Sequence, residues 1–392
     1  MNPVTNPYAP GAGSEPPELA GREEIFSRTE ITLARVKLRR PVKSFMLVGL
    51  RGVGKTVLLN KIEDIAKKIE FKTTLIEAHE NKSLPELIIP SLRRILLSLD
   101  YKEKVDEVVK RGLRVLASFT AATKITISGV DLGLSIDPEL GSADSGDIEA
   151  DLPELFLAVG QAAESRGTAV AVIIDELQYV NSKEFSALIM AMHKISQKNL
   201  PLILIGAGLP RLVALAGKSK SYAERLFDYP EVDALKPSDA MAALAEPAER
   251  EGVEYNKNAL NEIIKLTQGY PYFLQEWGYR CWNEATKSPI TKAVVKRATA
   301  SAIENLDESF FRVRFDRVTP REREYLFAMS ELGEGPHRSG DIAAQMSVAV
   351  ESIAPVRNSL IKKGMVYSPA HGDTAFTVPL FHEYLERVRQ RP

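Results

Sequence analysis

The sequence predicts an α/β domain on a mainly parallel sheet, followed by a helical region and a small module of three helices and a hairpin. Three observations carry that expectation. Short apolar runs at residues 45–48, 73–76, 169–174 and 202–205 alternate with segments whose apolar residues recur at helical spacing. After Pro237 the strand signal fades and helical spacing takes over. From Thr319 onward, three helical segments lead to Gly364 and then to two short apolar runs.

In chain order, residues 1–21 come first, with five prolines among the first 17, and predict an extended segment, either a mobile tail or a strap laid across the next domain. Residues 22–236 form the α/β domain. Ile25, Phe26, Ile31, Leu33, Ala34 and Val36 predict a helix within 22–42 that leads into a strand at 45–48. A glycine-rich turn and a helix over 57–70 follow, then a strand at 73–76 and a helix over 84–99 with Pro85 in its first turn. Residues 101–150 begin with a charged helical stretch. Alternation of Ile125, Ile127, Val130, Leu132, Leu134 and Ile136 then predicts a hairpin followed by a polar loop, and about 103–150 reads as an insertion. A helix over 152–165, a strand at 169–174, a helix over 183–197 and a strand at 202–205 complete the domain.

Residues 237–315 predict a helical subdomain with helices over 238–249, 257–267, 272–285 and 291–306; Ser238 is the expected N-cap, and Gly252 and Gly269 the stops. Residues 316–392 predict helices over 321–332, 339–346 and 349–363 and strands at 365–368 and 374–378, the order of a winged helix-turn-helix.

Composition excludes several classes of function. With 392 residues, 44% hydrophobic and 26% charged, the chain is neither mainly disordered nor fibrous, and two or three domains are expected. Lys plus Arg number 51 against 52 Asp plus Glu, so no global positive field holds nucleic acid and any DNA binding must be local. Cys281 is the single cysteine, which excludes an intramolecular disulfide and a multi-cysteine metal site. No apolar run has membrane-spanning length and no basic segment precedes an apolar one at the start, so a cytoplasmic protein without a membrane partner is expected. The five histidines lack ligand spacing and read as solvated or core residues. Trp277, Trp282, Tyr270, Tyr272 and Phe273 read as packing between helices, and Cys281 as buried and inert.

Gly49-Leu50-Arg51-Gly52-Val53-Gly54-Lys55-Thr56 matches the G-x-x-x-x-G-K-[ST] phosphate loop, after a predicted strand and at the start of a predicted helix that continues with Val57. Glycines let backbone N–H groups face phosphate oxygens, and the helix N-terminus adds partial positive charge. Lys55 reaches the β and γ phosphates, and Thr56 supplies an oxygen to Mg²⁺. The apolar run 169–174 ends in Asp175 and Glu176. Alternation along a strand would point them different ways, Asp175 toward water around Mg²⁺ and Glu176 toward the attacking water.

These residues resemble the additional-strand P-loop ATPases, specifically the AAA+ and STAND families and the origin-recognition-like ATPases of archaeal type. Other segments fall in the same order. Residues 17–23, which contain Gly21 and Arg22, look like the segment that lines the adenine site in that family, and Gly269-Tyr270-Pro271 looks like the G-x-P turn of the STAND helical subdomain. The resemblance implies an α/β P-loop NTPase fold with a mainly parallel sheet of the additional-strand type, a helical lid subdomain and a C-terminal winged helix. ATP and Mg²⁺ are the implied cofactors, and an ATP-dependent homo-oligomer is implied in which Arg225, ahead of the apolar stretch 226–235, serves a neighbouring subunit's nucleotide; an ordinary surface ion pair is the other reading of that residue.

The chain departs from the family at two places. The strand 202–205 is followed by Gly206-Ala207-Gly208-Leu209-Pro210 where a polar sensor 1 residue is expected, and Tyr272-Phe273-Leu274-Gln275 follows Pro271 where sensor 2 supplies an arginine, so Gln275 is the expected substitute and Arg280 lies further along. Lys55 and Asp175 stand 120 positions apart, which supports the insertion. On the expected recognition helix, Arg357, Asn358, Lys362 and Lys363 are suited to double-stranded DNA, yet residues 316–392 carry ten basic and ten acidic residues, so a protein-docking module stays open beside DNA. The expected function is a Mg²⁺-dependent ATPase, slow as an isolated subunit, that acts as a nucleotide-driven switch on the winged helix. A signalling or scaffold ATPase and an ATP-binding module with little hydrolysis are the alternatives.

Overall fold

The computed structural model describes residues 1–11, 13–100, 106–123, 137–370 and 372–390. The chain divides into two compact units, one of Glu23–Gly49 with Lys55–Val232 and one of Met1–Arg22, Leu50–Gly54 and Asp233–Pro392.

The first of these units is the α/β domain. It comprises α1 (Glu23–Lys37), β1 (Ser44–Val48), α2 (Lys55–Lys68), β2 (Lys72–Glu77), α3 (Leu84–Asp100), α4 (Glu107–Ala122), α5 (Ile148–Ser165), β3 (Val170–Asp175), α6 (Ser182–Lys198), β4 (Leu202–Gly208), α7 (Arg211–Ser219), α8 (Ala223–Leu226) and β5 (Phe227–Asp228). The sheet has the order β2-β3-β4-β1-β5, and every pairing in it is parallel. Strand β4 lies between β1 and β3, the additional strand that the resemblance implied. Every residue of β1, β3 and β4 is buried, as parallel strands covered on both faces require, which is why these runs are almost wholly apolar. Of the apolar stretch 226–235 only two residues become strand.

The expected insertion is in part a structural element of this core. Asp106 caps α4 by accepting from the N–H groups of Val108 and Val109, and Val109, Leu113, Leu116 and Phe119 are buried in the same cluster as Leu96, Phe156 and Phe185. The hairpin expected over 125–136 lies outside the described residues.

The second unit holds α9 (Pro237–Arg250), α10 (Lys257–Thr267), α11 (Pro271–Glu284), α12 (Lys292–Asn305), a π-helical turn Leu306–Phe311 and α13 (Arg312–Phe315). Trp277, Trp282, Tyr270 and Phe273 are buried among these helices, as expected of packing residues. Ser238 is not the cap of α9: the cap position is Lys236, because Pro237 takes the first helical position and needs no N–H partner there. The N-terminal segment is a strap, but it lies on α11 of the helical subdomain and not, as expected, across the next domain. Trp282 Nε1 donates to the Asn2 carbonyl at 2.9 Å, Asn6 Nδ2 donates to the Tyr279 carbonyl at 3.0 Å, and Tyr8 is buried where Gly278 leaves room for its ring.

The same unit continues through α14 (Pro320–Glu331), β6 (His337–Arg338), α15 (Ser339–Gln345), α16 (Val350–Lys362), β7 (Val366–Tyr367), β8 (Asp373–Phe376) and α17 (Phe381–Gln390). Strands β6, β8 and β7 form an antiparallel sheet, of which sequence periodicity gave only the last two; β6 is two residues long and carries no alternation to detect. Thr319 and Glu322 form a capping box at the start of α14. No helix among the described residues is long and apolar enough to cross a membrane.

Candidate functional site

Strand β1 delivers the chain into the predicted phosphate loop. Gly49 N–H donates to the Gly208 carbonyl at 3.1 Å, which fixes the start of the loop against the end of β4. Gly54 has φ +96° with open space around it, so glycine is required there for its backbone angle and not for room. Helix α2 begins at Lys55, and the N–H groups and dipole of a helix N-terminus make this end suited to an anion. Lys55 is buried, and its Nζ donates to the Gly49 carbonyl at 2.9 Å, so the ammonium lies along the loop it belongs to.

Strand β3 brings Asp175 to the same place. Thr56 Oγ1 donates to Asp175 Oδ2 at 2.6 Å, across 119 positions of sequence. Burial pushes the Asp175 carboxyl up, against the Thr56 hydroxyl and the Lys55 charge, which pull it down. Such a buried carboxylate beside a hydroxyl suits a small hard cation, which both oxygens would hold directly or through water.

Glu176 departs from the expected strand alternation. The strand ends at Asp175, and Glu176 takes the left-handed conformation with φ 53° and ψ 36° while its N–H donates to Asp175 Oδ1 at 2.7 Å. A short 3-10 turn, Leu177–Tyr179, follows and fills the room left by the glycines of β4. A Cβ on Gly206 would meet Leu177 Cδ1 at 2.2 Å and one on Gly208 would meet Gln178 Oε1 at 2.7 Å. The missing polar residue at the end of β4 therefore has a structural reason: side chains from the turn after β3 occupy that space.

In the other unit, the loop tip Leu50–Gly54 meets several residues. Arg22 Nη2 donates to the carbonyls of Val53 at 3.2 Å and Asp233 at 2.7 Å. Gly21 has φ +70°, and a Cβ there would lie 2.5 Å from Asp239 Oδ2. Tyr272 N–H donates to the Gly52 carbonyl at 3.3 Å, and the Tyr270 ring lies where a Gly52 Cβ would point; Pro271 between them starts α11. Val53 is buried and Leu50 is half-buried. Arg51 packs on Gly364, where a Cβ would come within 2.8 Å of its Nε.

Arg314 is a residue that sequence reasoning missed. Its guanidinium sits 3.7 Å over the Phe310 ring, and burial and the nearby Arg51 charge push it down to about 10. Two guanidinium groups at the loop tip favour an anion. No motif marks Arg314, which lies in a single helical turn, so only tertiary structure could find it.

Other expected residues fall elsewhere. Gln275 is buried, and its Oε1 accepts from Ala9 N–H at 3.2 Å, so it ties down the N-terminal strap, and the expectation that it substitutes for a sensor arginine is corrected. Arg280 pairs with Glu276 at 2.7 Å. Arg225 is exposed on α8, and Val57 is half-buried in the first turn of α2. Of the four residues expected to contact DNA, Arg357 donates instead to Thr374 Oγ1, Ser368 Oγ and the Asp373 carbonyl at 2.7–2.8 Å, and Lys363 to Glu322 at 2.6 Å and the Arg317 carbonyl at 3.0 Å. Each closes a helix onto its own module, so these bonds would compete with a phosphate for the same donors. Asn358 and Lys362 are exposed.

A parallel sheet of order β2-β3-β4-β1-β5, a glycine-rich loop between β1 and α2, and a threonine hydroxyl on an aspartate at the end of β3 together define a P-loop NTPase of the additional-strand class. Residues 18–205 match the family model described as AAA ATPase domain, so this stretch of the chain is an AAA-type ATPase domain. Residues 308–385 match a domain of unknown function (DUF8462). The comparison with curated proteins found no match.

Among solved structures, the fold is similar to the Walker-type ATPase of Pyrococcus abyssi, at 18% identity over 94% of this chain and 96% of that one, with a TM-score of 0.56. The Aeropyrum pernix ORC1 protein in complex with DNA matches at 14% identity over 96% and 94%, with a TM-score of 0.48. The RuvB Holliday junction branch migration motor of Thermotoga maritima matches at 17% over 96% and 99%, with a TM-score of 0.47.

Proposed function

We propose that the chain binds ATP with Mg²⁺ at residues 49–57, hydrolyses it with Glu176 as the base, and uses the nucleotide state as a switch on residues 316–392, a module we read as a winged helix. The observation that carries this reading is the 2.6 Å contact between Thr56 Oγ1 and Asp175 Oδ2 beside the buried Lys55. Magnesium held by Thr56 and Asp175 would neutralise phosphate charge. Lys55 moves from the Gly49 carbonyl to the β and γ phosphates, loop N–H groups receive phosphate oxygens, and the Glu176 carboxylate takes a proton from the attacking water.

The switch reading draws support from the second unit taken alone. The loop tip is bonded to Arg22 and Tyr272 and packed on Gly364 through Arg51, so a rearrangement of the tip on phosphate binding acts directly on the start of α11 and on the turn after α16. A protein partner for the module is favoured over DNA by the internal bonds of Arg357 and Lys363 and by its balanced charge. Arg225, exposed on α8, is the residue offered to a neighbouring copy in an ATP-dependent homo-oligomer.

Phosphate release by wild type and by Glu176→Gln tests the chemistry. The variant should lose roughly 10²-fold or more in rate while retaining ATP; equal, measurable rates would sink the assignment. A gel shift with and without ATP at fixed salt separates the partners, since ATP-sensitive binding to a duplex would overturn the preference for protein.

A further inference from the structure

Gln178 is buried, with 4% of its surface exposed, in the turn between Glu176 and the end of β4. Its carboxamide is used at both ends. Nε2 donates to Glu176 Oε2, and Oε1 accepts from the Leu209 N–H at 3.0 Å. The carbonyl of the same residue accepts from Arg211 Nη2 at 2.6 Å, which anchors the backbone as well as the side chain. Since Leu209 N–H can hold only the oxygen of the amide, the orientation of the carboxamide is fixed, and its donor end must face the Glu176 carboxylate.

Glu176 needs such a partner. Its left-handed backbone removes it from the sheet ladder that holds Asp175, so the strand does not set its direction. Gly208, whose missing Cβ makes room for the Gln178 oxygen, also accepts the Gly49 N–H at 3.1 Å. One chain of contacts thus runs from the Glu176 carboxylate through Gln178 and the end of β4 to the first residue of the phosphate loop.

We infer that Gln178 is a positioning residue for ATP hydrolysis: its carboxamide holds the Glu176 carboxylate in register with the phosphate loop, in the space that Gly206 and Gly208 leave open. The inference rests on Glu176 being the base. Gln178 touches neither nucleotide nor water in this role. Its effect passes through Glu176, so it should appear in kcat and not in nucleotide affinity.

The test is a double-mutant cycle on the full chain, with Mg²⁺-ATP turnover and the Kd of a slowly hydrolysed ATP analogue measured for each variant. Gln178→Met keeps the length and fills the space but donates nothing, so it separates positioning from packing; Gln178→Ala is the second probe. Both should lower kcat about 10²-fold, the scale of a misplaced reacting group, with Kd close to wild type for the Met variant and a melting temperature lowered by a few degrees because the Leu209 N–H loses its acceptor. In a Glu176→Gln background the same substitution should change turnover by less than about twofold, because the group being positioned is gone. Wild-type kcat in Gln178→Met overturns the inference, as does an equal loss in both backgrounds or a loss confined to Kd. Wild-type turnover in Glu176→Gln alone would overturn the base assignment itself, a result distinct from failure of Gln178.

Discussion

Truncating Lys55 to alanine should weaken ATP binding far more than it weakens the fold. The side chain is 6% exposed, with its ammonium 2.9 Å from the Gly49 carbonyl. A hydrogen bond to a charged group contributes about 1.5–3 kcal/mol, and contact with two phosphates doubles that, less the about 1 kcal/mol given up when Lys55 leaves Gly49. A net loss of about 2–5 kcal/mol corresponds to a Kd raised roughly 30-fold to several-thousand-fold. Without nucleotide only the Gly49 bond is lost, about 1 kcal/mol, or a fall of about 2–4 °C in Tm for a domain of this size. Titration of a fluorescent ATP analogue with Mg²⁺ reads the first quantity and a melt without nucleotide reads the second. A Kd within about threefold of wild type, with an unchanged melt, would refute the phosphate-loop assignment.

Two further outcomes follow from buried carboxylates. Burial raises the Asp175 carboxyl, so its stabilising contribution is present at low pH and is lost as pH rises through its folded value. Asp175→Asn should therefore melt no lower than wild type at pH 7 without ligand while losing the extra stability given by Mg²⁺ with ATP and about 10- to 100-fold in Mg²⁺-dependent affinity; a melt clearly below wild type without ligand would contradict this. Glu322 shows the opposite sign: burial raises it, but the bonds from Lys363, Ser359 and the Thr319 N–H prevail and hold it down at about 2. Its contribution is present above the ordinary carboxylate range and is lost as pH falls toward about 2, so Glu322→Gln should cost the C-terminal module about 2 kcal/mol at pH 7 and little at pH 2, as read by denaturant melts at the two pH values.

The site was legible in the sequence wherever chemistry needs a fixed local spacing. The loop of residues 49–56 and the pair Asp175-Glu176 are contiguous motifs, and the flanking strands are apolar because a parallel sheet is covered on both faces. Most of the longer helices were legible for the same local reason, but α5 begins at Ile148, ahead of the expected 152, a proline at the first turn of α9 displaced the serine cap, and α7, α8, α13 and α17 were not read from the sequence. The roles expected of Gln275, Arg357 and Lys363 were assigned from position along a helix, and position does not reveal that a side chain is already bonded to another segment of the chain.

The sequence by itself therefore determined the class of fold, the phosphate loop and the acidic pair, since each is set by residues within a few positions of one another. Tertiary structure decided what depends on distant segments meeting. It placed Thr56 on Asp175, put α4 into the core of the α/β domain, laid the N-terminal strap along α11 and brought Arg314 near Arg51. It also explained the glycines of β4, which read in sequence as a missing polar group and in the fold are the space that Leu177 and Gln178 occupy. The physical reason is that backbone periodicity reports which face of an element is buried, while the partner across that face is chosen only when the chain closes on itself.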